Sequence, residues 1–127
     1  MPENHVFEYA VIRIVPRAER EEFVNVGVIL FCAKQKFLKA MILIDLERLH
    51  AFSSMLNVEQ VEANLCALER ICNGVIEGGP IAQMDIASRF RWLTATRSTV
   101  VQTSKVHPGL CADAGYTLNR LYRQLVM

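Results

Sequence analysis

Residues 9–32 read YAVIRIVPRAEREEFVNVGVILFC, which is the pattern of two β-strands separated by a charged loop. Apolar side chains alternate with the period of two expected of a strand over residues 6–16 and again over residues 23–33. A short polar turn at residues 34–36 leads into a third apolar stretch at residues 37–44. Three strands joined in this way predict an antiparallel meander. Because both faces of the first two strands are largely apolar, we expect both sides of the sheet to be covered.

The alternation also assigns each side chain of the second strand to one of two faces. Five apolar residues fall on one face and the remaining residues on the other: Val24, Val26, Val28, Leu30 and Cys32 against Phe23, Asn25, Gly27, Ile29 and Phe31.

The middle of the chain predicts helices. Residues 45–52 have the pattern of a short helical turn. Asn57 has the position of an N-cap, with Gln60 three residues later as in a capping box. Apolar residues then recur at steps of three and four, which predicts a long amphipathic helix over residues 57–77. The sequence GGP at residues 78–80 is expected to end it.

The last third of the chain predicts one more strand between two helices. A short helix is indicated around residues 82–93, and a polar strand rich in β-branched residues over residues 97–104. The sequence HPG at residues 107–109 predicts a turn, and leucines stripe a final amphipathic helix at residues 118–125. The expected fold is α+β: an antiparallel sheet of about four strands, packed by the long helix and the C-terminal helix, in a single domain at 1–127.

The composition is apolar for so short a chain. Of its 127 residues, 52% are hydrophobic, and the mean hydropathy is +0.21. Such apolarity indicates either a large core or a face that a partner covers. A net charge of +1 gives no overall attraction to nucleic acid or to acidic membranes. No apolar run approaches the roughly 18 residues of a membrane span, so we expect no membrane association.

The N-terminus and the cysteines point to the cytoplasm. The first ten residues lack the basic and apolar regions of a signal peptide. Four cysteines, Cys32, Cys66, Cys72 and Cys111, show no CxxC spacing. We expect them to be buried free thiols in a reducing compartment, and we expect the protein to be cytoplasmic.

Arg13 lies in mid-strand on a face that also carries Phe7 and Tyr9. If the aliphatic faces of the first two strands coincide, Asn25 lies opposite Arg13 and Gly27 lies opposite Val11.

A cation on such an apolar face needs partners, because an unpaired buried charge costs several kcal/mol. Asn25 and either Glu21 or Glu22 could supply them. Two interpretations stay open. The group could be a polar lock that fixes the strand register, or a recessed anion site that Gly27 opens to a ligand.

Residues 89–111, RFRWLTATRSTVVQTSKVHPGLC, carry several cations and no acidic residue. Interleaved hydroxyls could help these cations to hold an anion through charge-assisted hydrogen bonds, or the segment could be a solvated strand edge. Arg91, Arg97 and His107 are the binding candidates here. The RFRW sequence also has the aromatic and basic pattern of single-strand nucleic-acid binders, although one Trp and one Phe give a weak signal.

Catalysis and metal binding find little support in the sequence. Familiar nucleophile, phosphate-loop and zinc motifs are missing. Ser98 or Cys111 could be paired with His107 as nucleophile and base, but nothing in the spacing favours this. His107 and Cys111 could share a metal only if the segment were helical, and no second pair of ligands is evident. We therefore predict no catalytic residue, no metal and no cofactor.

The two blocks at residues 9–32 and 89–111, with the leucine-rich C-terminal helix, resemble the bacterial family called domain of unknown function 3037. The resemblance covers nearly the whole chain, and FVNVGVIL and RSTVVQTS are its most specific elements. It implies a fold but no established activity. It also implies a context, since similar proteins are often encoded beside a HipA-like serine/threonine kinase.

These observations lead us to expect a non-catalytic protein-interaction or accessory subunit, whose partner is a kinase-like protein or a second copy of the chain. Charge segregation supports this expectation: residues 45–85 hold seven acids and two arginines, whereas residues 86–112 hold four Lys or Arg and no acid. The alternatives are a module for an anion, a phosphorylated ligand or nucleic acid that uses the basic segment, and an enzyme of unknown class.

Overall fold

The computed structural model describes residues 4–16, 22–53, 56–95 and 99–127. Within them the chain forms five strands and four α-helices in the order β1 (His5–Ile14), β2 (Val24–Cys32), β3 (Phe37–Ile42), α1 (Leu46–Phe52), α2 (Val58–Asn73), α3 (Ile86–Leu93), β4 (Val101–Thr103), β5 (His107–Cys111) and α4 (Ala114–Leu125). The predicted α+β class is confirmed. Among the described residues, no helix has the length and apolarity needed to cross a membrane.

The strands form one antiparallel sheet with β1 inside it. On one side β1 pairs with β2, and β2 pairs with β3, as the predicted meander requires. On its other side β1 pairs with β4 through Ile12–Ile14 and with β5 through His5–Tyr9. The segments β4 and β5 therefore follow one another along a single edge of the sheet.

Ser104 bridges the break between β4 and β5. Its backbone N–H donates to the Val11 carbonyl at 2.8 Å, and its hydroxyl accepts from the Val11 N–H at 2.8 Å. The same hydroxyl donates to the Lys105 carbonyl at 2.9 Å. A buried side chain thus stands in for a backbone acceptor, which lets the edge bend without leaving the Val11 N–H unpaired.

A β-bulge shifts the register of β2 against β1. Ile12 pairs with Gly27, whereas the next residue, Arg13, pairs with Asn25. Val26 is therefore an extra residue in the ladder, and Gly27 lies opposite Ile12 rather than opposite Val11 as predicted.

The bulge also reverses the alternation of side chains along β2. Val24 and Val26 lie in the same core as Ile29 and Phe31, while Val28, Leu30 and Cys32 lie in the other core. The predicted assignment of these residues to faces is wrong for one half of the strand, because a period of two holds only along an uninterrupted ladder.

Two hydrophobic cores cover the two sides of the sheet, as predicted. One core includes Leu49 of α1, Val61 of α2 and Phe90 of α3, and we call this the α2 side of the sheet. The other core includes Leu118 of α4, and we call it the α4 side. Each helix thus buries its apolar stripe on the sheet and leaves its polar residues outside.

One predicted boundary and one predicted turn are wrong. The long helix begins after the Asn57 cap as predicted, but it ends at Asn73 because Gly74 adopts a left-handed conformation (φ 69°) and caps it. The GGP sequence lies beyond that end. The HPG sequence at 107–109 belongs to β5 and is not a turn, because a proline on an edge strand leaves no ladder hydrogen bond broken.

The cysteines are unpaired thiols, as expected, but one of them is not buried. Cys32, Cys72 and Cys111 lie in the cores, whereas Cys66 is exposed on α2. Cys66 falls on the polar face of that helix, between the apolar positions that pack on the sheet.

Candidate functional site

Arg13 and Asn25 lie opposite each other at the β-bulge, as the sequence predicts. Their side chains lie on the α4 side of the sheet, because Arg13 shares the alternation of Phe7 along β1. The Asn25 side-chain amide donates from Nδ2 to the Leu125 carbonyl at 3.1 Å. Asn25 thereby ties β2 to the C-terminal end of α4.

The Arg13 guanidinium lies over the ring of Phe23, with Cζ 4.0 Å from the ring centroid. This cation–π contact takes the place of the expected ion pair, since Glu22 is exposed and forms no described salt bridge with Arg13, and Glu21 lies outside the described residues. Arg13 Nε and Asn25 Oδ1 are buried, and within the described part of the chain neither has a hydrogen-bond partner. One donor and one acceptor therefore remain unpaired on facing residues.

Gly27 lies where β2 and β3 approach closely. A Cβ atom on Gly27 would be 2.6 Å from the Met41 carbonyl oxygen and 3.2 Å from Ile12 Cδ1. Backbone and core atoms therefore occupy the space that a side chain would need. Glycine is required here by the packing of the strands.

Arg91 lies on the other side of the sheet from Arg13. Its two terminal nitrogens each donate to one carboxylate oxygen of Glu8 at 2.7 Å, which is a bidentate ion pair. Hydrogen bonding to Arg91 holds the pKa of Glu8 below its ordinary value and, reciprocally, raises the pKa of Arg91. Because Glu8 alternates with Ala10 and Ile12 along β1, this pair belongs to the α2 side.

Arg89, another cation of the basic segment, serves the fold. Its Nη1 lies 3.4 Å from the Ile71 carbonyl and 3.5 Å from the Ala82 carbonyl, beside the C-cap Gly74. A cation near the last carbonyls of α2 complements the negative end of that helix. The described arginines of the basic segment, Arg89 and Arg91, therefore form separate contacts within the fold.

His107 lies on β5 directly opposite Tyr9, and the two ring centroids are 5.3 Å apart. Cys111 is four residues further along the same strand, or about 13 Å at roughly 3.3 Å per residue. Direct proton transfer between them needs contact within about 3 Å, so they do not form a nucleophile and base pair. Burial also raises the pKa of the Cys111 thiol, which disfavours a reactive thiolate.

The six predicted site residues are thus only partly brought together. Arg13, Asn25 and Gly27 meet at the bulge, and His107 lies on the same side of the sheet, four residues of β1 away at Tyr9. Arg91 lies on the opposite side, and Arg97 and Ser98 lie outside the described residues. Among the described residues there is no group of three or more His, Cys, Asp or Glu that could hold a metal ion.

Sequence reasoning missed the outward face of α4, which we call the outer surface of α4. It lines a shallow depression of about 470 Å³ formed by Gly115, Tyr116, Asn119, Arg120, Arg123 and Gln124. Tyr116 is 72% exposed. The outward positions of the helix carry two arginines and no acidic residue. The signal was present in the sequence, since the positions left over by the apolar stripe are these same residues.

The outer surface of α4 belongs to a well-anchored helix. Asp113 caps its N-terminus by accepting from the Tyr116 N–H. At the other end Asn25 donates to the Leu125 carbonyl, and Arg48 donates to the Val126 carbonyl at 3.1 Å. Contacts from β2 and α1 therefore fix the end of α4, and the exposed side chains project from a rigid platform.

The fold and this surface describe a small α+β domain with an exposed helix and no recognisable reaction centre in its described part. Over residues 9–126 the chain matches the family described as "Protein of unknown function (DUF3037)", and it belongs to that family. Neither the curated proteins nor the solved structures gave a match. The family description states no activity.

Proposed function

We propose that this protein is a non-catalytic interaction domain that binds another protein through the outer surface of α4. The observation that carries the proposal is the exposure of Tyr116 beside Arg120 and Arg123 on a helix face without acids. Tyrosine and arginine are among the residues that contribute most to the energy of protein interfaces. Tyr116 offers a large apolar area at a small cost in side-chain entropy, because it has only two rotatable angles.

The way the rest of the chain uses its polar groups supports a binding role over a catalytic one. Arg91 is paired with Glu8, Arg89 with backbone carbonyls, and Ser104 with Val11. These side chains stabilise the fold, and their polar atoms are already engaged in contacts within the protein. Among the described residues, His107 and Cys111 lie at opposite ends of β5 and do not form a nucleophile and base pair.

The partner that we propose is the kinase-like protein implied by the resemblance or a second copy of the chain. We also propose that the protein acts in the bacterial cytoplasm, which the four unpaired thiols support because such thiols persist in reducing compartments.

Affinity capture with matched baits tests this proposal. The wild-type domain, the variant Tyr116→Ala/Arg123→Ala and the control Met84→Ala would each be used as bait in the native host. Met84 is 45% exposed and follows Ala82, which lies in the core on the α2 side of the sheet, opposite α4. A partner should bind the wild type and the control equally and the double variant roughly tenfold or more weakly, as expected for hot-spot residues. Equal recovery by all three baits, or no partner at all together with a strict monomer in light scattering, would contradict the proposal.

A second candidate is the binding of a phosphorylated ligand or nucleic acid near Arg13. The unpaired donor Arg13 Nε favours it, because a phosphate oxygen is an acceptor, whereas the unpaired Asn25 Oδ1 needs a donor that a phosphodiester lacks. The sequence predicts Arg13, Arg91, Arg97 and His107 as the binding residues. Arg91 is paired with Glu8 on the other side of the sheet, so it does not share a site with Arg13. Binding of a labelled single-stranded oligonucleotide at low salt, weakening steeply as salt is added, would support this candidate. No binding at low salt would remove it.

A further inference from the structure

We infer that the outer surface of α4 binds the exposed face of α2 on a second copy of this chain. This inference rests on the proposed function and names the partner of the same surface. It is argued from the complementary charges of two helices that lie on opposite sides of one sheet.

The exposed face of α2 is acidic in its first half, whereas its last turns carry both Glu69 and the exposed Arg70. Glu59, Glu62 and Glu69 are exposed and, within the described part of the chain, form no salt bridge. Between Glu62 and Glu69 the exposed positions are the small residues Ala63, Cys66 and Ala67. A helix face with small residues at its centre lets another helix approach closely, and the carboxylates on it attract cations.

The outer surface of α4 has the opposite charge and the same spacing. Arg120 and Arg123 are three residues apart, as are Glu59 and Glu62, so each pair spans about 4.5 Å along its helix axis. Neither arginine has a carboxylate within salt-bridge distance among the described residues. The two pairs can therefore face each other when the helices come into contact.

The positions of these pairs along the helices predict an antiparallel contact. The glutamates lie in the first half of α2 (Val58–Asn73), and the arginines lie in the second half of α4 (Ala114–Leu125). Only an antiparallel arrangement matches the two pairs while both helices overlap along their length. Tyr116 then comes level with Cys66, where the small residues leave room for its ring.

The contact is heterologous, because each copy uses α4 on one side and α2 on the other. Such contacts continue from copy to copy and form rings or open chains. Two helices of this length bury less than the roughly 1,000 Å² of a stable complex, so the association should be weak and sensitive to salt. The acids of α2 and the arginines of α4 are then complementary between copies rather than within one.

Charge reversal followed by rescue tests the inference. Glu59→Arg/Glu62→Arg and Arg120→Glu/Arg123→Glu should each weaken self-association, measured by sedimentation velocity at low salt and up to roughly 1 mM protein, by about tenfold or more. The quadruple variant, which combines both charge reversals, should recover self-association because the charges are again complementary. Circular dichroism and melting curves verify that each variant folds.

A second measurement reports proximity directly. Tyr116→Cys should form intermolecular disulfides with the native Cys66 under mild oxidation, and Tyr116→Cys/Cys66→Ser should not. A control cysteine at Met84 should not crosslink either.

The outcomes separate this inference from the proposed function. A monomer at every concentration, or a quadruple variant without recovery, would overturn the inference. If captured protein were still lost with Tyr116→Ala/Arg123→Ala, the proposed function would stand with a different partner. The wild type could instead fail to self-associate and bind an oligonucleotide that Arg120→Glu/Arg123→Glu no longer binds. That result would overturn both the inference and the proposed function.

Discussion

Single residues in this protein show why polar groups and glycines in a strand pattern need not form a site. Arg13 looks like a buried cation in the sequence, yet its guanidinium lies on Phe23 and its terminal atoms form no described ion pair. Gly27 in mid-strand could mark a bulge or an opening for a ligand, and in the structure it lies at the bulge, where the Met41 carbonyl leaves no room for a side chain. Both residues hold the bulge between β1 and β2, so their first effect is on the sheet.

The variant Gly27→Ala tests this interpretation. A Cβ atom would meet the backbone oxygen of Met41 at 2.6 Å, and a backbone atom inside a sheet cannot easily move away. We expect a loss of about 1–3 kcal/mol in the free energy of unfolding, as for other overpacked cores, measured by denaturant titration. Gly115→Ala is the control, because its nearest neighbour would lie at 3.4 Å, and it should not destabilise the protein. A Gly27→Ala variant as stable as the wild type would show that the strands are not in this close contact.

The Glu8–Arg91 pair makes a prediction about pH. The pKa of Glu8 is lowered in the folded protein, so the stabilisation is present above the unfolded pKa and is lost as the pH falls through the folded value. Because the Arg91 side chain is 58% exposed, solvent screens the pair, and we expect a contribution of only about 0.5 kcal/mol.

Glu8→Gln should remove this contribution near pH 7 and change little well below pH 4.5, the ordinary pKa of the group. Thermal melts of both proteins across this range provide the measurement. A stability difference that grows on acidification would contradict the assignment.

At the scale of elements, sequence patterns predicted which helices and strands exist better than where they bend or end. The Asn57 cap with Gln60 located the start of α2, since the Asn57 side chain does accept from the Gln60 N–H. The end of α2 was missed because Val75 continues the apolar pattern beyond the left-handed Gly74. The bulge at Val26 was missed because an extra residue changes the alternation without changing residue type. The strand β5 was missed because proline and glycine favour a turn unless an edge position accommodates them.

The Ser104 bridge is an element-scale feature whose removal should be measurable. Ser104→Ala leaves the buried Val11 N–H without its acceptor, and an unpaired buried donor costs about 1–3 kcal/mol. Chemical denaturation should show that loss. Hydrogen exchange of the Val11 amide should also become faster. Ser88→Ala, which removes a bond to the exposed carboxylate of Asp85, is the control and should cost less. Equal costs for the two variants would mean that the hydroxyl does not join β4 to β5.

At the scale of the whole molecule, the charges of the sequence acquire a meaning that their order along the chain does not give. Glu8 and Arg91 are 83 residues apart and become partners only in the folded sheet. The arginines of α4 and the glutamates of α2 lie on helices that pack on opposite sides of the sheet. Composition could predict segregated charge, but only the topology tells which surface each charge occupies. The candidate site at Arg13 was predicted from the sequence, whereas the outer surface of α4 was recognised from the fold.

Site-specific photocrosslinking in the native host shows directly whether the outer surface of α4 contacts another protein. Benzoylphenylalanine would replace Tyr116 on the outer surface of α4 in one protein and the exposed Met84 in a second. We predict a discrete crosslinked protein from position 116 and none from position 84, and we expect the crosslink to be lost when Arg120 and Arg123 are both changed to glutamate. Crosslinks of equal yield from both positions, or a crosslink at position 116 only to nucleic acid, would contradict it.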